Sequence, residues 1–121
     1  MASLRDVLSR LLSVPGVRTS VLVGRDGLPI EAAGRGDQRF YDTLGALGAS
    51  ALSTTEALGQ DLAQGRTVAT LLEYEDGLVS VDPIGDYAAM VTLAESAASL
   101  GTIRRTVRSS RDEMLRLLDM R

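Results

Sequence analysis

Hydrophobic positions recur along this chain with two distinct periods. In residues 3–13, Leu4, Val7, Leu8, Leu11 and Leu12 fall at i, i+3, i+4, i+7 and i+8, the apolar stripe of a helix. Ser3, with Asp6 three positions later, suits a reciprocal N-cap, and Pro15-Gly16 halts the helix and opens a turn. Residues 17–24 are rich in β-branched side chains, and Val17, Thr19, Val21 and Val23 share one face of a strand. Asp26-Gly27 then predicts a hairpin with a type I′ turn. Leu28, Ile30 and Ala32 continue the alternation on the returning strand, where Pro29, lacking an N–H, predicts an edge position.

Gly34-Arg35-Gly36 reads as a loop and Asp37 as the cap of a long helix over 38–63, which Gly65 ends. Its core face comprises Tyr41, Leu44, Gly48, Ala51, Thr55, Leu58 and Leu62, with Gly45, Ala49 and Leu52 adjacent. An interior glycine costs a helix about 1 kcal/mol relative to alanine. Gly45, Gly48 and Gly59 therefore imply that another backbone comes close. Strands follow over 67–73, 78–83 and 87–94, joined by the turns Glu75-Asp76-Gly77 and Ile84-Gly85-Asp86. Loops this short make the strands antiparallel neighbours. A last helix spans 100–118, with Leu100, Ile103, Val107, Met114 and Leu118 inward. The order α-β-β-α-β-β-β-α defines an α+β fold, a five-stranded antiparallel sheet covered by three helices, and 121 residues suit one domain.

Composition narrows the chemistry more than the class. The sequence contains no Cys, His, Lys, Trp or Asn. That removes thiolate nucleophiles, Cys-based metal sites, the usual general base and any Schiff-base lysine. Every basic side chain is Arg, which does not lose its proton. No catalytic set, metal site or cofactor site is expected. The net charge is −3, unevenly spread: residues 100–121 hold six Arg against three acids, and residues 1–99 hold seven Arg against thirteen. An acidic body with one basic helix does not suit nucleic-acid binding. Arg5, Asp6 and Arg10 interrupt the first apolar stretch, and no run reaches the roughly 18 apolar residues of a membrane span, so a cytoplasmic protein without membrane insertion is expected.

Several clusters have both a chemical and a plain reading. Glu73, Glu75 and Asp76 could hold a hard cation, but they sit at a turn where solvated acids are ordinary. Asp82 and Asp86 could form an acid–base pair, yet they flank a predicted hairpin. Gly34-Arg35-Gly36 before a helix could receive an anion, although it lacks Lys and Walker-type spacing. Arg104, Arg108 and Arg111 form one strip that either meets an acidic partner or balances the acidic body. For the stripe Gly45, Gly48, Ala49 and Leu52, contact with a second copy and close packing on the chain's own sheet stand equal on these residues alone.

Two stretches, residues 14–30 (VPGVRTSVLVGRDGLPI) and 77–86 (GLVSVDPIGD), with 98–101 (ASLG) opening the last helix, resemble the roadblock/dynein light chain family over essentially the whole chain. The sequence departs from the family pattern at Gly24, usually polar, and Ser99, usually Asn. The resemblance implies a profilin-like α/β sandwich, with the central helix on one face of the sheet and the terminal helices on the other. It implies a homodimer in which the third strand and central helix meet their symmetry mates, here Gly45, Gly48, Ala49 and Leu52 with Val68, Thr70 and Leu72. It further implies a non-catalytic regulator or scaffold of a small Ras-like GTPase in prokaryotic signalling, motility or polarity, with Arg39, Asp42, Glu56 and Gln60 as exposed partner contacts. A sensory or scaffold domain of related fold, binding a small ligand or another protein, is the alternative.

Overall fold

A computed structural model describes residues 2–120, the side chain of Ala98 excepted; Arg121, counted above in the basic balance, lies outside the described residues. The elements run α1 (Leu4–Leu12), β1 (Val17–Gly24), β2 (Pro29–Gly34), α2 (Gln38–Asp61), β3 (Thr70–Tyr74), β4 (Gly77–Ile84), β5 (Ala88–Ala94), a 3₁₀ turn (Ala97–Ser99) and α3 (Leu100–Asp119). The strands form one antiparallel sheet in the order β2-β1-β5-β4-β3. Pro29 therefore sits on an edge strand, as its missing N–H requires.

The α1 cap is the reciprocal one its sequence suggested: Ser3 N–H donates to Asp6 Oδ2 at 2.9 Å, and Asp6 N–H donates to Ser3 Oγ at 3.2 Å. The first hairpin is tighter in logic than a type I′ turn. Only Gly27 takes positive φ, at +89°. Gly27 N–H donates to Gly24 O, and Gly24 N–H to Leu28 O. Arg25, Asp26 and Gly27 thus form a three-residue loop, in which the left-handed glycine closes an ordinary turn. A bulge between Val17 and Thr19 moves Val17 off the face it was expected to share, and it packs on the opposite core.

The sheet separates two cores. On one face Leu22, Ile84, Ala88 and Met90 pack beneath α1 (Leu4, Val7, Leu8, Leu11) and α3 (Ile103, Val107, Met114). Arg10 joins the two helices through both carboxylate oxygens of Glu113, at 2.6 and 3.2 Å. On the other face Val21, Val23, Val81, Ala89 and Val91 pack beneath α2, centred on Leu52. The central helix thus covers one face and the terminal helices the other.

The α1–α3 face is not wholly apolar. Ser20, Thr92 and Ser80 are paired in register across β1, β5 and β4, and all three are buried. Ser20 Oγ–H donates to Leu8 O of α1, and Ser80 Oγ–H donates to Asp82 Oδ2 at 2.8 Å. Asp82, at the end of the expected strand 78–83 where it flanks the turn, lies within β4 and is buried. Burial raises its pKa against the lowering effects of Ser80, Arg111 and Arg104. A carboxyl whose folded pKa exceeds its unfolded one binds more protons when folded, so its contribution to stability falls as pH rises between the two values. Asp82→Asn, which keeps an oxygen for Ser80, is therefore expected to stabilise the fold above the folded pKa and to lose that advantage in acid. Denaturation of variant and wild type across pH checks this, and a constant difference at all pH values refutes it. Asp6 and Glu113 shift downward, through hydrogen bonds from Ser3 and Arg10, and cancel in the comparison.

Candidate functional site

The long helix α2 links the two edge strands, β2 and β3, and so must traverse the whole sheet. Asp37 caps it, accepting from Phe40 N–H at 2.9 Å. It ends earlier than Gly65: Ala63 takes the left-handed conformation at φ 54°, with Ala63 N–H donating to Gln60 O and Gln64 N–H to Gly59 O. These two bonds form a Schellman closure. Twenty-four residues extend about 36 Å, and five strands span only about 19 Å. The sheet cannot cover all of the helix.

Which part it covers corrects the expected roles. A Cβ on Gly48 would lie 2.6 Å from Val91 Cγ2, and one on Gly45 would lie 3.1 Å from Val23 Cγ2. Gly45, Gly48, Ala49 and Leu52 are all buried beneath the helix, against this chain's own sheet. These four, expected at a dimer interface, are occupied within the single chain in letting α2 settle onto β1 and β5. Leu58 and Leu62, expected in the core, are instead 58% exposed. With Phe40 and Leu47 they follow spacings of 7, 11 and 4, one flank of the helix.

This flank adjoins the free edge of the sheet. Leu58 and Leu62 line a shallow groove of about 380 Å³ together with Val68 and Leu71. Val68 is exposed but precedes the strand, which begins at Thr70. By their pairing with Val81 and Val79, Thr70 and Leu72 point to the α2 face, Thr70 buried and Leu72 half-buried. Thr70 Oγ1 has no hydrogen-bond partner among the described residues. Strand β3 thus presents an unpaired backbone edge beside an apolar helix flank. The sequence signal for Leu47 and Leu58 was present in their spacing, but the same spacing also fits a core stripe.

Of the partner contacts expected from the sequence, Arg39, Asp42 and Gln60 are exposed. Glu56 is not free: its Oε1 accepts from Arg25 Nη1 at 2.5 Å, and the side chain is half-buried. The expected solvent strip of arginines also divides, for Arg108 is exposed while Arg104 and Arg111 are half-buried toward the sheet. Glu73, Glu75, Asp76 and Asp86 are exposed around turns. Among the described residues no group of three or more His, Cys, Asp or Glu is placed to hold a metal, and no helix is long and apolar enough to cross a membrane.

A second concavity, of about 840 Å³, lies where the β1 and β4–β5 turns meet the end of α2 and the middle of α3. Arg25, Arg66 and Arg111 line it with Glu56 and Asp86. Arg25 is held in place by Glu56 and by the carbonyls of Ala88 and Gly85, at 3.3 and 3.1 Å.

The fold has relatives. An uncharacterized protein of Methanocaldococcus jannaschii is 28% identical over 108 residues, which cover 89% of this chain and 93% of that one. A solved Roadblock/LC7 domain from Streptomyces avermitilis is 26% identical, covers 94% of this chain and 99% of its own, and superposes with a TM-score of 0.80. Myxococcus xanthus MglB shares the fold at 19% identity and a TM-score of 0.85, covering 97% of this chain and 95% of its own. Acanthamoeba castellanii profilin II shares the fold more distantly, at 16% identity and a TM-score of 0.61, covering 93% of this chain and 96% of its own. The family model described as Roadblock/LC7 domain matches residues 4–94, and this chain belongs to that family.

Proposed function

We propose that this protein is a non-catalytic homodimer that regulates or scaffolds a small Ras-like GTPase. The observation that carries the dimer is the unpaired β3 edge beside the exposed flank of Leu47, Leu58 and Leu62. An exposed edge strand is a template for pairing, and proteins that leave one open beside apolar surface are prone to association. A symmetric pairing β3 to β3 satisfies both edges and brings the two helix flanks together, since each copy presents the same patch. An MglB described as having a tetrameric arrangement, at 24% identity, is consistent with self-association in this fold. Val68, Thr70 and Leu72 belong to this interface, with Leu47 and Leu58 taking the helix role first expected of the glycine stripe.

The partner surface is the rest of α2, where Arg39, Asp42 and Gln60 are exposed and Glu56 contributes only by exchanging Arg25. The GTPase follows from family likeness. No Arg is singled out as a transition-state finger, and the regulation proposed is an ordering of the partner's own switch regions. Co-purification with a small GTPase encoded nearby, in each nucleotide state, tests the reading. Binding that prefers one nucleotide state, with a change in hydrolysis or exchange rate, is expected. Absence of binding in both states rules the role out.

A further inference from the structure

The arginine-lined cleft has a charge arrangement that the dimer and the GTPase surface leave unexplained. Its three guanidiniums come from separate elements: Arg25 follows β1, Arg66 lies in the segment between α2 and β3, and Arg111 stands on α3. Only Arg25 has an ion-pair partner among the described residues, Glu56. That pair consumes one of the two lining carboxylates. Arg66 and Arg111 line the cleft with Asp86, and Arg111 also feels the charge of Asp82, buried in β4; three guanidiniums thus stand against two lining carboxylates in a chain whose net charge is −3. Arg111 Nε is buried and has no hydrogen-bond acceptor among the described residues. A charged donor withdrawn from water without an acceptor is costly, and an anion meeting the part of this guanidinium that lines the cleft offsets some of that cost.

The other lining groups suit the same occupant. The Gln60 amide and the Thr67 hydroxyl add donors on the side of Arg66. Gly65, at φ +87° with open space where a Cβ would stand, leaves the backbone approachable there. The concavity, about 840 Å³, lies within the range of small-molecule sites. Guanidinium forks match the oxygens of phosphate, and several forks at once favour a tetrahedral polyanion over a single carboxylate.

We propose that this cleft binds a small phosphorylated molecule, whose phosphate oxygens take the guanidiniums of Arg66 and Arg111 while Arg25 forms a fixed rim. This goes beyond the GTPase reading and requires no second protein. The probes are inorganic pyrophosphate and a nucleoside diphosphate, titrated calorimetrically into the full chain, with the backbone amide resonances of Gly65 and Thr67 followed in parallel. Saturable binding is expected. Equal affinity for the two probes identifies the phosphate as the recognised group, and tighter binding of the nucleotide adds a contribution from base and ribose; either supports the site. Arg66→Ala, at an exposed position, is expected to weaken binding about tenfold or more while the melting temperature holds, since a hydrogen bond to a charged group is lost. Arg111→Gln is expected to do the same, and Arg66→Ala decides the matter if that variant fails to fold. Arg105→Ala, an exposed arginine of α3 that does not line the cleft, is expected to leave probe binding unchanged. The proposal is overturned if neither probe binds saturably, or if binding survives Arg66→Ala undiminished; an acidic peptide that binds here where both probes fail would also overturn it, pointing to a protein partner.

Discussion

Leu47→Glu and Leu58→Glu are each expected to convert the protein from a dimer into a folded monomer. The two side chains are 66% and 58% exposed in the single chain, so their replacement removes little intrachain packing. Surface changes of this kind alter stability by about 0.5 kcal/mol or less. In the proposed dimer the same positions are covered. Burying one leucine side chain contributes about 1.5–3 kcal/mol, and a carboxylate placed in an apolar contact adds a desolvation penalty of several kcal/mol. Because each copy carries the change, a symmetric interface meets it twice. The dissociation constant is therefore expected to rise about a hundredfold or more for either variant. Sedimentation of wild type and variants at matched concentrations checks it, with thermal unfolding to show that the fold persists. A wild-type chain that is monomeric at micromolar concentration, or variants that remain dimeric, refutes the edge-and-flank interface.

The opposite response is expected from Gly48→Leu. A Cβ at this position already meets Val91 Cγ2 at 2.6 Å and Val91 Cγ1 at 3.2 Å, and Val91 is fully buried. Even Gly48→Ala, which gains about 1 kcal/mol of helix propensity, must displace Val91 or lift α2, at about 1–3 kcal/mol for overpacking. Leucine adds three further carbons with nowhere to go, and a loss of about 3 kcal/mol or more is expected. If Gly48 instead met a second copy, the same substitution would break the dimer and leave the monomer stable. Chemical denaturation and sedimentation of one variant thus separate the two readings of the stripe. A Gly48→Leu chain of wild-type stability excludes the intrachain role.

The contrast between these variants shows where sequence reasoning reaches its end. The glycines declared that something approaches α2 closely, because a helix interior tolerates their cost only for a reason. They could not say whether that neighbour is the chain's own sheet or another molecule, since both lack room for a Cβ in the same way. Leu58 and Leu62 failed for a related reason. Helical periodicity assigns a side chain to a flank, but exposure depends on whether the sheet extends beneath that turn, and here it does not.

Strand alternation, the Ser3–Asp6 cap, the Asp37 cap and the edge position of Pro29 were legible because each depends on residues within a few positions of one another. The same locality explains why the element order and antiparallel connections could be read from the chain. The burial of Asp82 could not: a carboxylate beside a turn fits an exposed strand end, and only the packing of α3 over β4 encloses it. The cleft was equally hidden, since Arg25, Arg66 and Arg111 are tens of residues apart and share no local pattern. By itself, then, the sequence determined which segments form helices and strands, how they succeed one another, and which catalytic chemistries the residues exclude. The tertiary structure decided which face of α2 is covered, which apolar residues remain exposed beside the open β3 edge, and which distant arginines converge. Those outcomes depend on how far two surfaces overlap in space, a quantity that periodicity and residue type do not contain.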